Sequence, residues 1–158
     1  MLPRIGVRFD LPDRVDQVTW FGRGPLESYP DSMHAALIGR HTSLVDDLAV
    51  GYARPQESGH RSDIRSLSLL VDGAPWFDID TVPDSQGRRP GFSVARHTVQ
   101  QVGGAAHPHE LPVNDHSYLY LDAAQHGLGS RACGPDVWPD FILRPESRSL
   151  TFRISAED

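Results

Sequence analysis

Residues 4–10 read RIGVRFD and alternate polar and apolar side chains with a period of two. Successive side chains of an extended chain point to opposite faces, so Ile5, Val7 and Phe9 share one face. The polar residues and the glycine occupy the other face. This pattern predicts a β-strand that is buried on one side only.

Similar short runs recur along the chain, and segments rich in glycine and proline separate them. Many short strands with turn residues between them indicate an antiparallel sandwich or barrel. Helical spacing is found only at residues 32–40, through Met33, Ala36 and Leu37, and we expect a short helix there. The further predicted strands are residues 15–21, 64–71, 76–79, 92–94, 118–121, 141–143 and 150–154.

Composition narrows the class of protein. The chain has 158 residues, 39% of them hydrophobic, which predicts one domain over residues 1–158 with a core of its own. Fifteen basic residues against 21 acidic ones give a net charge of −6, and we therefore expect no nucleic-acid partner. We expect no membrane span and no secretory signal, which favours the cytoplasm. A single cysteine, Cys133, excludes an intramolecular disulfide and a cysteine-rich zinc module.

Histidines and carboxylates are the first candidates for chemistry. His107 and His109 would point the same way from a strand, with His116 nearby, but Pro108 interrupts that strand and no cysteine pair supports a metal site. We therefore predict no metal site. Glycoside hydrolysis uses two carboxylates, and the candidates are Glu27, Glu57 and Glu110. Each of these glutamates lies beside turn residues and near arginines. Ion pairs that fix loops are therefore a simpler interpretation than catalytic roles.

A glycine-rich stretch at residues 126–135, HGLGSRACGP, is superficially similar to a phosphate loop. It lacks the second half of the GxGxxG pattern, and Pro135 and Pro139 leave no helix after it. We interpret it as a sharply turned loop.

Several blocks together resemble one known family. Residues 20–31, WFGRGPLESYPD, resemble the WxGxGPxExYxD signature in the C-terminal domain of bacterial β-galactosidases of glycoside hydrolase family 2. Further blocks match in the same order across nearly the whole chain, at Tyr52, residues 55–59, 92–97, 107–111, 121–122, 127–129 and 133–135. The matching residues with expected structural roles are Trp20, Gly22, Gly24, Pro25, Glu27, Tyr29, Asp31, Glu57, Gly59, Arg61, Asp63 and Arg65.

The resemblance implies an all-β fold, a two-sheet antiparallel β-supersandwich of the galactose mutarotase-like kind. It starts partway into the family's longer domain, so we expect strands ahead of Met1 and exposed strand edges here. The family's acid and nucleophile glutamates lie on a separate (β/α)₈ barrel. The resemblance therefore implies a chain without catalytic residues or cofactors, in a retaining enzyme that hydrolyses β-D-galactosides such as lactose. The expected partners are the barrel, the other domains, the galactoside and further copies of the enzyme; Mg and Na ions bind outside this domain.

In this family, one loop of the domain reaches the sugar site through an aromatic residue, often tryptophan. The resemblance places that loop at residues 126–135 and puts Cys133 at the aromatic position. The expected substrate-lining residues are Cys133, Arg131 and His126, together with Trp138, which could compensate for the missing aromatic ring.

Two alternatives remain open from the sequence. A freestanding carbohydrate-binding module would present exposed aromatic residues, for which Trp20, Trp76 and Trp138 are the candidates. An aldose epimerase would use histidine and glutamate as acid and base, and here His107, His109 and Glu110 would serve.

Overall fold

The computed structural model describes residues 2–12, 14–129 and 134–156. These residues form eight strands and one short α-helix, and none of their helices is long and apolar enough to cross a membrane. In chain order the elements are β1 (Arg4–Leu11), β2 (Gln17–Gly24), β3 (Leu37–Leu44), β4 (Ser66–Val71), β5 (Ala74–Val82), β6 (Gly91–Ala95), α1 (Val99–Gly104), β7 (Ser117–Gln125) and β8 (Thr151–Ala156).

The strands form two antiparallel sheets. One sheet has the order β1-β7-β6, and the other has the order β3-β2-β4-β5-β8. All neighbouring strands pair in antiparallel orientation. Val7 lies opposite Leu121 in the smaller sheet, and Trp20 lies opposite Leu67 in the larger one. The all-β, two-sheet fold predicted from the sequence is confirmed.

One hydrophobic core lies between the sheets. The rings of Trp20 on β2 and Phe92 on β6 lie 5.6 Å apart across the layers, and those of Phe9 and Phe152 lie 6.0 Å apart. Strand β2 is buried at every second residue, which is the pattern of a strand with one face in a core. Strand β1 lies at an edge, and its Val7 remains 41% exposed.

The helix predicted at residues 32–40 is wrong. The structure has a 3-10 turn at Met33–Ala35, followed directly by strand β3. β3 pairs with β2 along its whole length, from Leu37 opposite Gly24 to Leu44 opposite Gln17. The three residues at helical spacing do not share one buried face, since Ala36 is fully buried while Leu37 is 73% exposed. The open edge of β2 therefore determines the local structure.

The strand predicted at residues 141–143 is also wrong. A 3-10 turn occupies Pro139–Phe141, closed by the Phe141 N–H, which donates to the Trp138 carbonyl. The Phe141 carbonyl accepts from Gly127 N–H, so this backbone closes a loop and does not join a sheet. The short helix α1 had not been predicted, although Thr98 and Gln101 form its reciprocal N-terminal capping box.

We expect Trp20→Ala to lower the free energy of unfolding by about 3–5 kcal/mol, because it deletes a large side chain that is only 1% exposed. Trp138→Ala is the matched control, since that side chain is 68% exposed and should change stability by no more than about 0.5 kcal/mol. Urea denaturation of both variants measures the difference. Equal losses in the two variants would contradict the assignment of Trp20 to the core.

Candidate functional site

The two signature blocks, residues 20–31 and 57–65, lie against each other. The Arg61 guanidinium is buried and donates through Nε and Nη2 to the Pro25 carbonyl, at 3.1 and 2.9 Å. Its Nη1 donates to the Leu48 carbonyl at 2.8 Å. Beside it, Trp20 Nε1 donates to the Arg23 carbonyl at 2.8 Å. These contacts turn the chain sharply after β2 and hold the turn against the body of the domain.

Glycine is required where the first block turns. A Cβ atom on Gly24 would lie 2.8 Å from the Trp20 ring and 2.7 Å from the His41 ring. A Cβ atom on Gly22 would lie 3.0 Å from the Cα of Ile64. The absence of side chains at these positions lets the block pack closely on the buried tryptophan.

The glutamates of the two blocks take part in partly buried hydrogen-bond networks. Glu57 Oε1 accepts from the Tyr29 hydroxyl at 3.1 Å and from Arg4 Nη2 at 2.7 Å. Glu27 Oε2 accepts from the Gly59 N–H at 2.9 Å. Burial, followed by the charges of Glu57 and Glu27, raises the pKa of Tyr29, so its hydroxyl stays protonated and donates. These carboxylates therefore stabilise loops.

Asp31 closes the first block and holds a distant loop. Its carboxylate accepts from the Leu128 N–H at 3.1 Å through Oδ1 and from the Gly129 N–H at 2.7 Å through Oδ2. A Cβ atom on Gly127 would lie 2.8 Å from Asp31 Oδ2, so this close approach requires glycine. The Gly127 N–H donates to the Phe141 carbonyl at 3.1 Å and closes the base of the loop.

Three of the four predicted substrate-lining residues belong to the segment 126–135, and Trp138 follows it. His126 is half-buried, and its Nδ1 lies 3.2 Å from the Phe141 carbonyl. Trp138 is 68% exposed and free of the core. Arg131 and Cys133 lie outside the described residues. Asp63 and Arg65 of the second block are not part of this loop. Asp63 has a φ of 64°, and its carbonyl accepts from Arg65 Nη1.

The sequence did not reveal a buried pair formed by His60 and Asp122. Their side chains are 2% and 1% exposed, and His60 Nδ1 lies 3.5 Å from Asp122 Oδ2. Arg4 Nη1 lies 3.4 Å from the same oxygen. Asp122 stands on β7 opposite Gly6 of β1 and Gly91 of β6. The lack of side chains on both neighbouring strands makes room for this polar pair.

Burial decides which member of the pair holds the proton. It raises the pKa of Asp122 to about 7, from 3.8, although the positive charge of Arg4 acts in the opposite direction. It lowers the pKa of His60 to about 3, from 6.5, and the charges of Arg4 and Arg61 add to that effect. Between about pH 3 and pH 7 the favoured state is therefore a neutral carboxyl group beside a neutral imidazole.

The remaining sequence candidates lie elsewhere. His107 and His109 stack with ring centroids 5.4 Å apart, and Glu110 accepts from the Ala106 N–H within the same turn. Within residues 2–12, 14–129 and 134–156, no group of three or more His, Cys, Asp or Glu residues could hold a metal ion. Trp20 is buried, so it cannot belong to an exposed aromatic row of a carbohydrate-binding module.

Comparison with known proteins identifies the family of the chain. Residues 1–154 match the family described as beta galactosidase small chain, and the chain belongs to that family. It is 65% identical, over 99% of its length, to a beta-galactosidase of Arthrobacter sp. (strain B7). It is 37% identical to one of Vibrio cholerae and 34% identical to one of Kluyveromyces lactis, over 98% of its length in both cases. The chain spans only 15%, 14% and 14% of these three proteins.

The buried pair predicts opposite pH dependences for two variants. Asp122, with its raised pKa, contributes stability that is present below pH 3.8 and lost as the pH rises to about 7. His60, with its lowered pKa, contributes stability that is present above pH 6.5 and lost as the pH falls to about 3. Between about pH 3.8 and pH 6.5 the two contributions to stability change in opposite directions with pH. The intact pair should therefore add little net pH dependence in that range.

We therefore expect Asp122→Asn to gain stability relative to the unsubstituted chain as the pH rises through this window. His60→Gln should lose stability relative to it over the same range. Urea denaturation at a series of pH values measures both differences. Parallel pH profiles for all three proteins would show that the pair does not exchange its proton in this way.

Proposed function

We propose that this chain is a non-catalytic β-sandwich domain of a β-galactosidase that supports one loop at the sugar site. The observation that carries the proposal is the Asp31 clamp on Leu128 and Gly129, at the start of the loop that the family resemblance places beside the sugar. A carboxylate accepting from two successive N–H groups holds a backbone in one position. The exposed Trp138 at the other end of the loop is available to a ligand or to a neighbouring domain.

The glutamates support a non-catalytic role. A retaining glycosidase needs an acid and a nucleophile, with the two carboxyl groups about 5–5.5 Å apart across the scissile bond. Glu57 accepts hydrogen bonds from Tyr29 and Arg4, and Glu27 accepts from the Gly59 backbone. Carboxylates held in this way by their own domain stabilise the fold. In this proposal the acid and nucleophile belong to a (β/α)₈ barrel elsewhere in the longer protein.

The whole protein would hydrolyse terminal β-D-galactosides such as lactose. The barrel and the other domains would be the immediate partners of this chain, further copies would complete an oligomer, and Mg and Na ions would bind outside it. Within that assembly, Cys133, Arg131, His126 and Trp138 would line the leaving-group side of the sugar site. In this proposal these residues would act on affinity for the leaving group and would not contact the reacting carbon.

A chimera tests this proposal. The segment of the Arthrobacter beta-galactosidase that matches this chain is replaced by the chain itself, which is 65% identical to it. We expect the chimera to hydrolyse lactose and the chain alone to hydrolyse nothing. Cys133→Trp in the chimera should change KM for lactose more than kcat on an activated aryl galactoside, because a larger apolar face would contact the leaving-group sugar.

Two results would contradict the proposal. One is turnover by the purified chain that disappears in Glu27→Gln or Glu57→Gln. The other is a Cys133→Trp chimera whose stability changes while both kinetic constants stay the same.

The clamp gives a separate prediction. Asp31→Ala in the chimera removes both carboxylate hydrogen bonds to the loop, so we expect KM for lactose to rise about tenfold, as loss of one or two charged hydrogen bonds allows. Asp31→Asn keeps one acceptor oxygen and should show a smaller rise. Asp80→Asn is the matched control, because that carboxylate pairs with Arg153 and is 52% exposed. Steady-state kinetics on lactose measures all three variants. Equal KM values in the three would show that Asp31 does not hold the loop.

A further inference from the structure

A cavity of about 590 Å³ is lined by the helix α1 and by the loop of residues 45–59. Residues 93–95 of β6 and Tyr120 of β7 line it on the side of the smaller sheet. Its lining includes neither Asp31 nor any described residue of the segment 126–135. Small-molecule sites in proteins have volumes of about 300–1,000 Å³. The cavity is therefore large enough for a small organic ligand.

Most of the residues that line the cavity are apolar. The helix α1 buries none of its residues, although it carries Val99 and Val102. Both side chains are half-buried and belong to the lining, as does the half-buried Leu111 in the segment that follows. Apolar surface that remains partly open to water favours a ligand that covers it. The cavity therefore suits a ligand with an apolar body.

The charged residues of the lining do not balance. Its three arginines are Arg4, Arg54 and Arg96, and its two carboxylates are Asp46 and Glu57. Arg96 Nε lies 2.6 Å from Asp46 Oδ1, and Arg4 Nη2 lies 2.7 Å from Glu57 Oε1. Arg54 is exposed and makes no hydrogen bond or ion pair with any residue that the structure describes. One arginine of the cavity therefore has no counter-charge in this part of the chain.

We propose that this cavity binds a monocarboxylate with an alkyl or aryl body. A carboxylate can accept two parallel hydrogen bonds from one guanidinium, and no described residue engages the donors of Arg54. The apolar body would lie against Val99, Val102 and Leu111. A dicarboxylate would bring a second charge against this apolar wall, where it would lose its hydration. An ammonium ligand would be repelled by the excess positive charge.

The proposal goes beyond the proposed function, because it concerns binding by this chain and no step of glycoside hydrolysis. The experiment titrates the ¹⁵N-labelled 158-residue chain with octanoate and follows the amide signals of Gly51 and Gly103, which line the cavity, by NMR. We expect both signals to shift in a saturable way. 1-Octanol, which has the same chain without the charge, should bind about fivefold more weakly, as the loss of an ion pair at an exposed arginine allows. Octylammonium and acetate should leave the signals in place.

Variants locate the binding. Arg54→Gln should weaken octanoate binding about fivefold and leave 1-octanol binding unchanged, because only the charged contact is lost. Arg144→Gln is the matched control, since Arg144 is also exposed and without an ion pair among the described residues, but does not line the cavity. Val50, which is 45% exposed, belongs to the lining, and Val50→Asp should weaken octanoate binding more than 1-octanol binding by adding a like charge.

Three results would overturn the proposal. The first is a folded chain whose signals octanoate does not shift, or shifts no more tightly than 1-octanol or octylammonium does. The second is an Arg54→Gln variant that binds octanoate as tightly as Arg144→Gln. The third comes from calorimetric titration of the Arthrobacter chimera with octanoate. A chimera that hydrolyses lactose and does not bind octanoate would show that another part of the longer protein fills the cavity.

Discussion

The buried guanidinium of Arg61 is the contact on which the arrangement of this domain depends. The backbone N–H and carbonyl of Arg61 form hydrogen bonds with the backbone of Phe92 on β6, and the guanidinium donates to the carbonyls of Pro25 and Leu48. One residue therefore joins the smaller sheet to the turn that follows β2 of the larger sheet. A buried charge is tolerated only when its donors are satisfied, and the Trp20 ring, 5.7 Å from the guanidinium carbon, adds a favourable face. The turn, the tryptophan and the arginine thus position each other.

Strands with strong alternation of polar and apolar residues could be predicted from the sequence, because a half-buried strand places apolar side chains on its buried face. β2 follows that rule at every second residue, whereas β1 follows it less closely, since Val7 on its apolar face is 41% exposed. β3 does not, since its partner is the edge of β2 and its side chains are mostly exposed, as with Leu37 and Leu44. Residues 141–143 show the opposite failure, where an apolar run closes a loop through Phe141. Local composition predicts a strand only where burial and pairing act on the same residues.

The candidate site shows the same division. The signature blocks were recognisable because glycine and proline at fixed positions mark tight turns. The local sequence does not predict which blocks contact each other. Asp31 and Leu128 are 97 positions apart, and Tyr29 and Glu57 are 28 apart. The pair of His60 and Asp122 had only one weak signal, a carboxylate at the end of an apolar strand run. Long-range hydrogen bonds of this kind arise from the topology of the two sheets.

The glycines beside Asp122 explain how the fold accommodates such a pair. Gly6 and Gly91 flank it on the two neighbouring strands, where a Cβ atom on Gly6 would lie 2.5 Å from Asp122 Oδ1 and one on Gly91 would collide with the His60 ring. In a sheet, glycine weakens the strand because it contributes no packing. Here that loss leaves space in which a carboxyl group and an imidazole can be buried together. Between about pH 3 and pH 7 burial then keeps both groups neutral, so the two side chains add polar groups to the smaller sheet without adding charge.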